Sequence, residues 1–141
     1  MKRLAASLIL LAGGALAAAG TASALEPRNA VVLRTLDKIT GNARDVTTRV
    51  GQSVKFGPLN VTVRACHEAP PEDTPESAAF LEITTSAPPT RGLSGVSDQR
   101  GAAPPQGDME VFSGWMFASS PGLNALEYPT YDVWVISCSA G

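Results

Sequence analysis

The sequence predicts a small all-β domain, a barrel or a sandwich, built from about seven short strands and one short helix. Three observations indicate this class. Short runs of residues alternate apolar and polar side chains, which is the period of a half-buried strand. Turns containing glycine separate several of these runs. The last two runs are apolar on both faces, which favours central positions in the fold.

The first half of the chain supplies four of the predicted strands. They span residues 30–36, 45–50, 53–56 and 59–66. Gly41-Asn42, Gly51-Gln52 and Gly57-Pro58 are typical turn sequences between them. The fourth strand has the clearest alternation, which predicts one face turned inward and the other outward. The inward set is Leu59, Val61, Val63 and Ala65, and the outward set is Asn60, Thr62, Arg64 and Cys66.

The second half supplies three more strands, at 79–84, 110–117 and 131–138. The proline-rich acidic stretch 68–76 cannot form a core strand, although Thr74-Pro75 could begin one helical turn. Ser120-Pro121 predicts the start of a short helix that buries Leu123 and Leu126 and ends by Pro129. Residues 86–108 hold four Pro and four Gly, and this composition indicates a mobile insertion within one domain at 25–141.

Residues 1–24 have the features of a secretory signal peptide. Lys2 and Arg3 precede an uncharged stretch at 4–19, and Ala22-Ser23-Ala24 predicts cleavage before Leu25. The alternative is an uncleaved anchor, but 16 helical residues span roughly 24 Å, less than the bilayer core of about 30 Å. The short basic region and alanine-rich core are typical of bacterial export. We therefore expect a periplasmic protein with no membrane span after cleavage.

Cys66 and Cys138 are the two cysteines, and both remain after cleavage. Two cysteines in an oxidising compartment predict one disulfide, and a loop of this size would add about 4 kcal/mol of stability. Free thiols are one alternative. A metal site is another, but with His67 the pair supplies at most three ligands, whereas structural zinc takes four. We therefore expect no metal.

Charge and motif content argue against several function classes. The chain has 13 acidic and 11 basic residues, and this acidic excess widens once Lys2 and Arg3 are removed. An acidic domain has no electrostatic footprint for nucleic acid. His67 is the only histidine, and no nucleophile-and-base spacing accompanies it. The acidic run 68–76 lacks a calcium-loop pattern. We expect no catalytic residues, no cofactor and no enzymatic activity.

Aromatic residues are concentrated near the end of the chain. Six of the eight lie between Phe112 and Trp134. One interpretation makes them the core. The other makes Trp115, Phe117, Tyr131 and Trp134 a binding face, since Trp and Tyr suit surfaces that are covered by a partner.

Two C-terminal motifs, VFSGWMFASSP at 111–121 and LxALExPxYDVWVxxC at 123–138, resemble the signature of domain of unknown function 2155. Stretches at 36–41, 56–59, 63–66 and 70–83 match that family's usual order. The resemblance covers about residues 30–139. It implies an exported bacterial envelope protein and carries no assigned activity.

Together these observations favour a non-enzymatic periplasmic binding or accessory module that docks on an envelope or inner-membrane protein complex. Two alternatives remain open. One is a structural envelope protein that acts through its stability, and the other is a binder of a small ligand or glycan on an aromatic platform.

Overall fold

The computed structural model describes residues 24–86 and 107–141, and these residues form eight strands and no helix. The predicted signal peptide, apart from Ala24, and most of the predicted insertion at 86–108 lie outside the described residues. The strands are β1 (Glu26–Pro27), β2 (Ala30–Asp37), β3 (Asn42–Arg49), β4 (Ser53–Phe56), β5 (Leu59–Glu68), β6 (Ser77–Thr85), β7 (Met109–Phe117) and β8 (Tyr131–Ser139).

The described strands form two antiparallel sheets. In the large sheet β1 and β4 pair with opposite ends of β5, which is followed by β6 and then β7. The small sheet has the order β3-β2-β8. The predicted all-β class is confirmed, and of the two predicted forms the sandwich is correct, because the sheets do not close into a barrel.

The core fills the space between the two sheets. It consists mainly of aliphatic side chains from β2, β5, β6 and β8, whose alternate residues point to the same layer. Val31, Leu33, Val61, Leu81 and Ile83 are fully buried members. Burial of this layer provides the main drive for the sheets to pack.

The predicted turns at Gly41 and Gly57 are confirmed. Gly41 precedes β3 with a φ of 71°, and Gly57-Pro58 joins β4 to β5, with Phe56 paired to Leu59. Gly57 has a φ of 55°, and a Cβ there would lie 2.7 Å from Cζ of Tyr131. Glycine is needed at this position both for its backbone angle and for the space that the tyrosine ring occupies.

A β-bulge in β5 reverses the predicted orientations of Ala65 and Cys66, and a second bulge lies in β8. Val63 pairs with Leu81 and Ala65 with Phe80, so Arg64 is an extra residue in β5. Because an extra residue shifts the alternation by one, Cys66 turns inward instead of outward. In β8, Ile136 is extra in the same way, and Cys138 also faces the core.

The predicted disulfide between Cys66 and Cys138 is present, with the two Cα atoms 5.8 Å apart. Both cysteines are buried in the layer between the sheets. The bond therefore connects β5 of the large sheet to β8 of the small sheet.

The predicted short helix after Ser120 is wrong. Residues 118–130 cross from the large sheet to the small sheet, and they contain one hydrogen-bonded turn, in which the Leu123 N–H donates to the Ser120 carbonyl at 3.0 Å. Leu123 is 74% exposed, whereas Leu126 is buried as predicted, together with Tyr128. A helix rises only about 1.5 Å per residue, so an extended segment crosses this gap more economically. The helical turn suggested at Thr74-Pro75 does not form either.

Candidate functional site

The outer face of the large sheet carries a group of large apolar side chains. Cys66, Ala79 and Met116 are buried, so their neighbours along β5, β6 and β7 point outward. The strand register places these outward residues in two adjacent rows: Ala65–Phe80–Trp115 and His67–Ala78–Phe117. We call Ala65, His67, Phe80, Trp115 and Phe117 the outer aromatic patch.

Trp115 is the centre of the outer aromatic patch. Its ring meets Phe80 edge to face at a centroid distance of 5.6 Å and His67 at 5.5 Å. It nevertheless remains 37% exposed. Edge-to-face contacts on two sides restrict the indole of Trp115. The indole would therefore lose little additional side-chain entropy when a partner covers it.

Polar residues bound the patch along the same outer face. Arg64 pairs with Glu82 at 2.7 Å, and Ser53 shares a hydrogen bond with Thr62 at 2.7 Å. The hydrogen bond to Glu82, followed by its charge, raises the pKa of Arg64 above its ordinary value. One end of the face is therefore apolar and the other end is polar.

The outer edge of β7 beside the patch is covered by residues from the β7–β8 connection. Asn124 Nδ2 donates to the Trp115 carbonyl at 2.8 Å. A Cβ on Gly114 would lie 2.8 Å from that same Nδ2, so glycine leaves room for the asparagine. The contact occupies a backbone acceptor that would otherwise be open to pairing with another strand.

The four predicted binding residues do not form one face. Trp115 and Phe117 lie together in the outer aromatic patch. Trp134 pairs with Arg34 on the outer surface of the small sheet, on the opposite side of the molecule. Tyr131 packs edge to face on Phe56 at 5.0 Å and contributes to the end of the core.

His67 and Phe80 belong to the patch but were not predicted as site residues. Phe80 points away from the buried Leu81 and Ile83, as strand alternation requires. Its position beside Trp115 depends on strand pairing between distant segments, which no local pattern reveals. His67 faces outward only because of the bulge at Arg64.

A cleft lies at the end of the sandwich next to the patch, between the 69–76 segment and the bulge of β8. It encloses about 430 Å³. We call it the end cleft. The residues that line it include Arg28, Glu68, Pro70, Asp73, Glu76 and Ile136. Ile136 is 39% exposed. The expectation that the last two runs are central is wrong, because β7 and β8 are each an edge strand of their sheet.

Glu76 fixes one wall of the end cleft. Its carboxylate accepts hydrogen bonds from the Ser119 hydroxyl, from the Ser77 N–H at 2.9 Å and from the Ser119 N–H at 3.2 Å. Burial raises the pKa of Glu76, but these hydrogen bonds outweigh it, so the pKa is below its ordinary value. Glu76 is therefore a carboxylate at neutral pH.

The described residues contain neither a metal-binding cluster nor a membrane-spanning helix. Within 24–86 and 107–141, no three His, Cys, Asp or Glu side chains group in a way that could hold a metal ion. The same ranges contain no helix with the length and apolar character needed to traverse a bilayer.

Comparison with known proteins gives one match. The model of a family described as "Uncharacterized protein conserved in bacteria (DUF2155)" matches residues 31–138. No curated protein and no solved structure matches the chain. The matched segment runs from β2 to Cys138 in β8, so it contains strands of both sheets and both cysteines. The chain therefore belongs to the DUF2155 family of bacterial proteins.

Proposed function

We propose that the protein is a non-enzymatic periplasmic module that docks on an envelope or inner-membrane protein complex through the outer aromatic patch. The observation that carries this proposal is the half-exposed indole of Trp115, held edge to face by Phe80 and His67. Large, well-oriented aromatic side chains are the commonest energetic centres of protein interfaces.

The shape of the patch favours a protein partner. It lies on the outer face of a sheet and not in a cleft, whereas small molecules bind in concave pockets. Asn124 covers the β7 backbone at Trp115, so the partner would contact side chains and would not add a strand at this point.

The periplasmic location rests on two features. The signal-peptide pattern at 1–24 supports export, and the Cys66–Cys138 disulfide is typical of an oxidising compartment. The family is bacterial, which agrees with this compartment.

Substitution of Trp115 tests the docking surface. Trp115→Ala should weaken capture of the partner complex by about 2 kcal/mol or more, because it removes the centre of the interface. It should also lower the free energy of unfolding by about 1–3 kcal/mol, since the partly exposed indole loses two edge-to-face ring contacts.

Trp134→Ala is the matched control, because it removes the same side chain from the opposite outer surface. It should leave capture unchanged. The measurements are pull-down from envelope extracts and denaturant unfolding of the same two variants. Equal capture by Trp115→Ala and wild type would exclude the outer aromatic patch as the docking surface.

A second candidate function is the binding of a small ligand near Tyr131. A cavity of about 360 Å³ lies between Phe56, Tyr131 and the β2–β3 turn, with the Arg44 guanidinium 5.3 Å from the Phe56 ring centroid. An aromatic wall beside a cation suits a sugar or an anionic ligand. Titration with soluble cell-wall glycan fragments would detect it, and Arg44→Ala should abolish the response.

A further inference from the structure

The end cleft extends the outer aromatic patch around the end of the sandwich. The row after His67–Ala78–Phe117 contains Glu68, Ser77 and Ala118, and the Ala118 N–H donates to the Ser77 carbonyl at 2.8 Å. All three residues of this row line the end cleft. The cleft therefore begins one residue beyond the patch along these strands, and a partner that extends past Phe117 around the end of the sandwich would reach it.

An apolar side chain is exposed inside the end cleft. Ile136 is the extra residue of the β8 bulge, and without that residue the regular alternation of β8 would continue past this point. Pro70, Pro71 and Pro75 form the facing wall. Proline-rich walls lose little conformational entropy on binding, so this surface is suited to receiving an apolar side chain.

The rim of the end cleft is negatively charged. Among the described residues that line it, Glu68, Asp73 and Glu76 carry carboxylates, and Arg28 carries the single guanidinium. Arg28 is already engaged by Glu26 at 3.2 Å and by Glu68 at 2.9 Å. An occupant that supplied a cation to this rim would gain charge complementarity in a partly enclosed site.

We propose that the end cleft receives a basic, apolar segment of the docked partner, with an aliphatic or aromatic side chain on Ile136 and a Lys or Arg at the acidic rim. This inference rests on the proposed function, because it names the chemistry of the partner segment next to the patch. A second copy of the chain is the poorer fit, since the chain has more acidic than basic residues.

Site-specific photo-crosslinking of the full chain in its native cells tests the inference. The photoreactive residue p-benzoylphenylalanine is placed at position 115 in the patch, at 136 in the cleft and at 39 as a control. Ile39 is a matched control because it is aliphatic and 78% exposed, and it lies in the β2–β3 turn. Crosslinked partner fragments are released with glutamyl endopeptidase and sequenced by mass spectrometry.

We expect positions 115 and 136 to crosslink to the same protein and position 39 not to. The fragment joined to 136 should contain Lys or Arg adjacent to an apolar residue. Asp73→Lys should reduce the yield at 136 several-fold, whereas Glu110→Lys, the same charge change on β7, should have little effect.

Each of the other results contradicts the cleft inference, the docking proposal or both. Crosslinks at 115 without crosslinks at 136 overturn the cleft inference and leave the docking proposal intact. So does a fragment without basic residues, a second copy of this chain at 136, or an equal response to Asp73→Lys and Glu110→Lys. Absence of crosslinks at 115 overturns both proposals.

Discussion

Single residues at turns determine how closely the ends of the sandwich can pack. Gly57 has a φ of 55°, and the Tyr131 ring occupies the space that a β-carbon would need. Gly57→Ala should therefore lower the free energy of unfolding by about 2 kcal/mol or more, through the left-handed backbone penalty and the clash with Tyr131.

Gly41→Ala separates these two contributions. Gly41 has a φ of 71° but no heavy atom within 4 Å of its ideal Cβ position. Its substitution should cost about 1 kcal/mol, which is the backbone penalty alone. Urea unfolding of both variants measures the difference. Equal losses would show that Tyr131 moves aside without a penalty.

Glu76 makes part of the stability dependent on pH. Its pKa is lowered in the folded protein, so the stabilisation is present above the unfolded pKa of about 4.5 and is lost as the pH falls through the folded value. Glu76→Gln should lower the free energy of unfolding at pH 7 by about 1 kcal/mol or less, because the carboxylate is only partly buried and solvent screens its charge.

The difference between wild type and Glu76→Gln should disappear in acid, where the carboxylate is protonated. Glu72→Gln, in the same segment and fully exposed, serves as the control and should change stability little at either pH. Urea unfolding at neutral and acidic pH provides the measurement. A difference that persists unchanged in acid would show that the carboxylate charge plays no part.

At the scale of elements, local alternation predicted where the strands lie. It did not always predict which face of the sheet a side chain occupies. The alternation in 59–66 correctly placed Leu59, Val61 and Val63 in the core. It failed at Cys66 because a bulge is defined by two residues facing one on a neighbouring strand, and the neighbour, β6, is separated by a long turn. The bulge at Ile136 in β8 turns Cys138 inward for the same reason.

Deletion of Arg64 tests the role of the bulge in β5. Removing this extra residue makes Val63, Ala65 and Cys66 consecutive without changing their partners on β6, so Val63 and Cys66 should still point inward with Ala65 outward between them, and the disulfide with Cys138 should still form. Thiol titration under denaturing, non-reducing conditions should then find no free thiols.

Arg64→Ala is the control for this deletion. It keeps the extra residue and loses only the ion pair with Glu82, so the disulfide should still form. Two free thiols in the deletion variant would show that the bulge itself, and not only the pairing of β5 with β6, is needed to hold Cys66 inward.

At the scale of the whole molecule, the disulfide is a covalent side-chain link between the two sheets. Replacing both Cys66 and Cys138 with Ala should lower the free energy of unfolding by about 2–5 kcal/mol, since the unfolded chain regains the freedom of a long loop. Guanidinium unfolding of oxidised wild type and the double variant measures this.

Reduction of the native protein provides an independent check. Both cysteines are almost fully buried, so a mild reductant should act slowly unless denaturant is present. Rapid reduction under native conditions would indicate that the sheets separate frequently.

The candidate site could be predicted only in part, because the packing of the whole molecule decides which residues become neighbours. Aromatic content alone singled out Trp115, Phe117, Tyr131 and Trp134, but the two sheets carry them to different surfaces. Local patterns specify which residues share a face of one strand. They do not specify which strands become neighbours, and the outer aromatic patch depends on the pairing of three strands.

The position of β8 also governs the order in which the molecule can be assembled. β8 follows all the other strands in the chain, yet it pairs with β2, and Val31 lies opposite Cys138. As the chain emerges with its N-terminal part first, the β2–β3 hairpin and the β4–β5–β6 meander can form early from local contacts. The small sheet must wait for Tyr131–Ser139. Until then the inner side of β2 and the edge that pairs with β8 remain open, so we expect the nascent protein to be accessible to chaperones and proteases during that interval.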